Sequence, residues 1–296
     1  MEFKKKNLKN ERRLYIMSLH TNINSKDVKS WFTDHFKESK ALHTYHVPDS
    51  EREFQIFEEP LMGIGDAEDP LFGEYKKEDI IGPWFVTPKE WFSEAKSVIS
   101  IFFPFTETLR ENNRSIPKEP APSWNYGRLE GQEFINHMVD DLCEYIKFLG
   151  YETVIPTRSK LPETIADRKF KPTNKNVFIS HWSERHAAYV CGLGMFGLSK
   201  GLITKKGMAG RITSVLISVE LKADVRPYKE IYEYCIMCGA CIHRCPSNAI
   251  SETGKDNVVC KNHMETFKEK FYPRTGCGKC QVKVPCEHQI PGRQML

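Results

Sequence analysis

The chain has 296 residues, 28% of them charged and 40% apolar, an ordinary globular composition with room for one large domain or two. No apolar run reaches the roughly 18 residues of a membrane helix, which argues against a membrane-spanning role. The formal charge of +4 belongs to the first residues: taking Lys4, Lys5, Lys6, Lys9, Arg12, Arg13, Glu2 and Glu11 out of the totals of 43 basic and 39 acidic leaves 37 of each, and a neutral body lacks the basic excess of a dedicated nucleic-acid binder.

Residues 1–24 read as a solvated basic leader. Arg12-Arg13 invites an export reading, but Leu-Tyr-Ile-Met-Ser-Leu-His-Thr-Asn follows and turns polar too soon for an apolar signal core. Translation could also begin at Met17. Residues 25–39 carry Val28, Trp31, Phe32 and Phe36 at helical spacing behind a serine N-cap, Ser25. Residues 40–90 read as irregular, and the acidic stretch Asp66–Asp69 as a solvated loop. Ser97–Phe103 is a buried strand ended by Pro104. Residues 110–125 are polar and proline-rich, hence a loop, and 131–149 form the clearest helix, with Phe134, Met138, Leu142, Ile146 and Leu149 as its stripe and Gly150 at C′. Cys143 beside that stripe reads as a packed thiol. Tyr151–Ile155 is a short strand, 183–191 a helix, and Arg211–Glu220 a strong strand.

Between the last two lies Gly192-Leu-Gly194-Met-Phe-Gly197. A dinucleotide fingerprint needs a strand before it and a helix after it, and neither is read here. The glycines do imply that backbone approaches something closely. A charged connector at 222–232 then divides a domain over 25–225 from a cysteine-rich domain over 226–296.

That second domain opens on Cys235-Ile-Met-Cys238-Gly-Ala-Cys241-Ile-His-Arg-Cys245-Pro246, the C-x2-C-x2-C-x3-C-P run of bacterial ferredoxins. Cys260, Cys277, Cys280 and Cys286 follow, making eight thiols, enough for two 4Fe–4S clusters. The fourth cysteine of such a run serves the other cluster. The assignment is therefore Cys235, Cys238, Cys241 and Cys286 for one cluster, and Cys245, Cys260, Cys277 and Cys280 for the other. Zinc fits a triplet spaced by two residues poorly, and disulfides suit short secreted chains. The spacing Cys280-Gln-Val-Lys-Val-Pro-Cys286 departs from the usual form, which makes Cys286 the least secure ligand. Oxygen-sensitive thiol chemistry without an export signal suits a reducing cytoplasm.

Taken together, Ala95-Lys-Ser97-Val-Ile, Gly131-Gln-Glu-Phe134, Glu184-Arg185 ahead of Gly192, the GLGxxG segment and the cysteine tail resemble the epoxyqueuosine reductase and reductive dehalogenase superfamily over about residues 90–290. The resemblance implies an α+β, nitroreductase-like cobalamin-binding core followed by a ferredoxin-like two-cluster domain. It implies electrons passing from a low-potential donor such as ferredoxin or flavodoxin, through two 4Fe–4S clusters, to cobalamin. Arg185, Tyr189, Gly192, Leu193, Gly194 and Gly197 would wall the cofactor, and His181, Glu184 and Tyr126 are the candidate catalytic groups, with His181 first as proton donor. His186 is a further candidate, and Cys191 reads as a packed thiol rather than a cofactor contact.

Two departures shape the expected substrate. The position aligned with the family's catalytic aspartate is Phe178, and no helical-repeat extension is read after the clusters. With the neutral body, these favour a small organic substrate over tRNA. The rival readings are an electron-transfer or activating protein that serves a corrinoid for a partner, a pocket holding flavin or nothing, and an epoxyqueuosine reductase acting on tRNA, for which Lys261, Lys268, Lys270, Lys279 and Lys283 could form a local basic patch.

Overall fold

The structure, a computed structural model, describes residues 23–48, 50–166 and 180–292. The leader and Phe178 lie outside the described residues.

Helix α1 (Ser25–Glu38) is capped by Asn24 rather than by Ser25: the Asn24 side chain accepts from the Lys26 and Asp27 amides, and Asp27 reaches back to the Asn24 amide. It buries Val28, Phe32 and Phe36, as the spacing requires. The stretch read as irregular holds three strands, β1 (Thr44–His46), β2 (Glu53–Gln55) and β3 (Leu61–Asp66), and two short helices, α2 (Pro70–Glu74) and α3 (Pro88–Trp91). Asp69 caps α2 and pairs with Arg226 at its other carboxylate oxygen, so the acidic loop is a structural tie.

Strand β4 (Ser97–Pro104) is buried along its whole length. The long helix α5 (Pro122–Phe148) follows α4 (Glu107–Ser115), so two helices occupy most of what was read as a polar loop. Pro122 sits in the first turn of α5, where its missing N–H costs nothing, and Gly150 follows the helix with φ +90. After β5 (Thr153–Val154) come α6 (Glu163–Ala166), α7 (Glu184–Val190), a hairpin of β6 (Gly194–Phe196) with β7 (Leu202–Thr204), and β8 (Gly210–Ile217).

The central sheet runs β3-β4-β8-β5, antiparallel throughout. Alternate residues of a strand face opposite sides. Ile99, Ile101 and Phe103 accordingly join α1 and α5 in one core, while Val98 and Leu216 join α7, Trp182 and the aromatics of 72–91 in another. With both faces covered, β4 reads as continuous apolar sequence. Strand β3 carries glycine at 63 and 65 because α7 ends against its backbone there: a Cβ on Gly63 would lie 2.3 Å from the Cys191 carbonyl oxygen.

The cysteine-rich segment is built from short pieces: α8 (Ala240–Arg244), the β9 (Ile250–Ser251) and β10 (Gly254–Lys255) hairpin, α9 (Asn257–Glu265), α10 (Lys268–Phe271) and a 3-10 turn at Lys279–Gln281. It is joined to the rest by buried polar contacts on α4. The buried Glu287 carboxylate meets Arg114 at 2.9 Å and Arg110 at 3.4 Å, and Asn113 donates to the Cys277 carbonyl at 3.1 Å. That explains why α4 is polar in sequence.

Candidate functional site

Cys235, Cys238, Cys241 and Cys286 line one recess with Leu198, Ile203, Met208 and Val284. Burial first, then the neighbouring thiols, push Cys241 up to about 11 and Cys286 up to about 12. Cys245, Cys260, Cys277 and Cys280 lie within electrostatic reach of one another as a second set, in which burial pushes Cys280 up to about 12. Cys245 differs. Burial works against its thiolate, but hydrogen bonds with Ser247 and the Ala249 amide, with Lys255 nearby, hold it below its ordinary value. The long gap before Cys286 has a packing cause: Val282 and Val284 are plugs in two separate cores, and reaching both uses the extra residues.

Four thiols around a small recess fit a cubane, whose ligands stand well apart. A single ion would draw thiols to about 2.3 Å from a common point. Among the described residues no three His, Cys, Asp or Glu side chains could hold one ion.

Three arginines, one each on α5, α7 and β8, gather near the second thiol set. Arg128 is near Cys277 and Cys260, Arg185 near Cys280, and Arg211 near Arg128. Each is held by a neutral oxygen: the Thr275 carbonyl at 3.0 Å, the Lys200 carbonyl, and Gln132 Oε1 at 2.6 and 2.9 Å. Among the described residues none of the three pairs with a carboxylate. Desolvation, and then Arg128, hold Arg211 down to about 9. Arg185 is exposed to solvent.

Glu184, at the start of α7, is the perturbed acid. Desolvation pushes it up to about 7 against hydrogen bonds from Ser214, Trp182 and Thr157. Trp182 Nε1 donates to Ser214 Oγ at 2.9 Å, and Ser214 Oγ donates to Glu184. His181 is held differently: its Nδ1 lies 2.8 Å from the Trp84 carbonyl oxygen, and its own carbonyl accepts from the Val86 amide. His186 is kept neutral, down to about 3 by burial and then by Arg185, and is packed against Tyr75 and Phe196. Tyr126 lies against Tyr45 and under the Arg274 guanidinium, near α5's first turn. The structure thus groups Glu184 with Arg185, and gives Tyr126 a different set of neighbours.

The other proposed cofactor contacts are packing residues at their nearest neighbours. Leu193 belongs to a core cluster with Ala188, Phe196 and Leu202, and Tyr189 packs on Phe196 and Tyr228. What Gly194 approaches is the partner strand, since its Cβ would lie 2.2 Å from the Ile203 carbonyl oxygen, and Gly192 needs its φ of +74. A Cβ on Gly197 would meet Ile203 Cδ1 at 3.1 Å. Gly194→Val is therefore expected to break the β6–β7 hairpin and destabilise the protein by several kcal/mol. Urea unfolding of the purified variant checks it, and a wild-type midpoint would show the strand pair can separate. Cys191 is a packed thiol: fully buried, its Sγ donates to the Val98 carbonyl at 3.3 Å, and burial pushes it up.

Sequence reasoning missed Arg128 and Arg211. Arg128 stood between the loop read over 110–125 and the helix read over 131–149, and Arg211 opened a strand. The signal available was that neither has an acidic residue at helical or cross-strand spacing.

A 4Fe-4S binding domain family matches residues 228–251. A curated epoxyqueuosine reductase from Leadbetterella byssophila is 23% identical over 202 residues, which is 66% of this chain and 56% of that protein. A solved epoxyqueuosine reductase, in complex with an epoxyqueuosine-modified tRNA-Tyr stem loop, is 16% identical, covers 88% of this chain and 66% of its own, and has a TM-score of 0.50. A catabolic reductive dehalogenase is 15% identical over 78% of this chain and 30% of its own, with a TM-score of 0.48. The superfamily resemblance is supported. The fold is an α+β core like that of the solved epoxyqueuosine reductase, followed by a ferredoxin-like 4Fe–4S segment. The chain spans little more than half the length of the curated relative. Among the described residues no helix is long and apolar enough to cross a membrane.

Proposed function

We propose that the chain is an iron–sulfur oxidoreductase, a corrinoid-dependent reductase with two 4Fe–4S clusters acting on a small organic substrate. The observation that carries this reading is the division of eight thiols into two sets of four, the second backed by three guanidiniums that have no carboxylate partner among the described residues. Guanidinium N–H groups suit the carboxamides and phosphate on the rim of a corrinoid, so the residues present fit that group. When bound, the clusters supply single electrons and the corrinoid a strongly reducing centre.

The chain's own part is to bind, orient and hold a proton. Arg128, Arg185 and Arg211 offer donors to the ligand. Glu184, titrating near 7, can hold a proton at neutral pH and release it, and Ser214 and Trp182 fix its orientation. This makes Glu184, rather than His181, the first candidate acid.

A second reading, reduction of epoxyqueuosine in tRNA, is favoured by the same arginines, since guanidiniums without carboxylates also take phosphates. Its proposed basic patch is smaller than the sequence suggested. Lys279 is buried, Lys268 pairs with Glu265, and Lys270 pairs with Glu119. The test begins with the absorption spectrum of anaerobically reconstituted protein mixed with cobalamin. A perturbed spectrum that is lost in Arg185→Ala supports the corrinoid reading, and an unperturbed one leaves the electron-transfer protein. Conversion of epoxyqueuosine-containing tRNA by the loaded protein would decide for the tRNA substrate.

A further inference from the structure

The two thiol sets sit in unlike surroundings. The recess of the first is walled by Leu198, Ile203, Met208, Ile236, Met237 and Val284, with no charged side chain. The second is surrounded by cations. Lys279, between two of its cysteines, is fully buried and donates to the Asn113 carbonyl at 2.7 Å and to Asn113 Oδ1 at 2.8 Å. Arg244, beside Cys245, donates to the Arg114 and Asn113 carbonyls at 2.9 and 3.3 Å, and its Nε is buried with no partner. Arg128 completes the group through the Thr275 carbonyl. Among the described residues none of these three cations meets a carboxylate.

A buried cation held only by neutral oxygens is costly unless an anion stands near it. Cys277 stands within electrostatic reach of Lys279, and Cys277 and Cys260 within reach of Arg128, so the thiolates of this set and the cluster they would hold can supply that anion. One N–H donor stands on the same side. Trp124 Nε1 is buried with no partner and abuts Gly278, the residue after Cys277, while Asn125 abuts Gly276 through Oδ1 and has both amide atoms buried without a partner. Reduction adds one negative charge to a cluster. Nearby cations and hydrogen bonds to sulfur favour that added charge, and an apolar wall does not.

We propose that the two cluster sites are unequal by construction: the second has the higher reduction potential, with Lys279 as its fixed counter-charge. The inference rests on the two-cluster reading above. An electron shared between the sites then rests on the second, and the first is the lower-potential partner. Lys279 acts through the cluster and is a positioning charge, not a catalytic residue.

The experiment is a redox titration of the anaerobically reconstituted full chain, followed by electron paramagnetic resonance, with iron content measured on the same samples. Wild type is expected to give two one-electron midpoints. Lys279→Met, which keeps the volume and removes the charge, is expected to lower the higher midpoint by about tenfold in the reduction equilibrium, 59 mV for one electron, and to leave the lower one in place. If Lys279→Met fails to assemble, Lys255→Gln reads the same quantity from a half-buried position near Cys245 and Cys280, with a smaller shift of the same midpoint. Full iron with neither midpoint moved, or with only the lower one moved, overturns the inference and leaves the two-cluster reading standing. Half the iron and a single midpoint in wild type overturns both.

Discussion

Replacing Cys280 by serine should halve the iron of the protein, from about eight to about four per chain, and leave one cluster signal intact. Cys280 belongs to the second thiol set through Cys245, Cys260 and Cys277. A hydroxyl is a poor ligand for iron in a cubane, where soft thiolate is required. The surviving cluster should be the one on Cys235, Cys238, Cys241 and Cys286, because its walls come from the β6–β7 region and Val284 rather than from the Cys280 turn. Cys241→Ser should do the reverse. Iron and sulfide analysis of the two variants, each after anaerobic reconstitution, reads the result. Complete loss of iron in both would mean that the sets assemble only together. About four irons in wild type would reduce the protein to one cluster and remove the wire the proposed function needs.

The C-x2-C-x2-C-x3-C-P run was legible because its ligand spacing is local, and the 4Fe-4S binding domain family matches over it. Strands β4 and β8 and the second half of α5 were legible because their burial is one-sided or complete over many residues. Strand β3 was hidden by Gly63 and Gly65, small because α7 and Cys191 press on the strand. Helix α4 and the first turns of α5 were hidden for the opposite reason. Arg110, Asn113 and Asn125 are buried against Glu287, Cys277 and Gly276 of the cysteine-rich segment, and Ser123 against Asn112, rather than in an apolar core. Tertiary partners decide such positions, and sequence pattern does not carry them. The same holds for Lys279, which looked like surface charge and is fully buried, and for Gly194, which serves a strand pair.

Glu184→Gln is expected to be more stable than wild type at pH 8 and indistinguishable from it near pH 4.5. Desolvation raises the folded-state value of Glu184 to about 7, while the unfolded chain keeps the ordinary carboxylate value. Below both values the group is protonated in either state and contributes no penalty. As pH rises from about 4.5, the unfolded state ionises first and gains relative to the folded state, so stability falls until the folded carboxyl also ionises near 7. The loss is complete above that and is on the order of 3 kcal/mol, set by the gap between the ordinary carboxylate value and about 7. Glutamine keeps an oxygen for the Ser214 hydroxyl and has no charge to bury, so its stability should not change through this window on account of position 184. The measurement is the difference in thermal midpoint between wild type and Glu184→Gln at pH 5, 6, 7 and 8, in matched buffers under anaerobiosis. The gap should open between pH 5 and 7 and then stay level. A gap equally wide at pH 5 would place the effect in packing. A variant less stable than wild type at pH 8 would mean that Glu184 is a stabilised anion, and its role as proton carrier would fall with it.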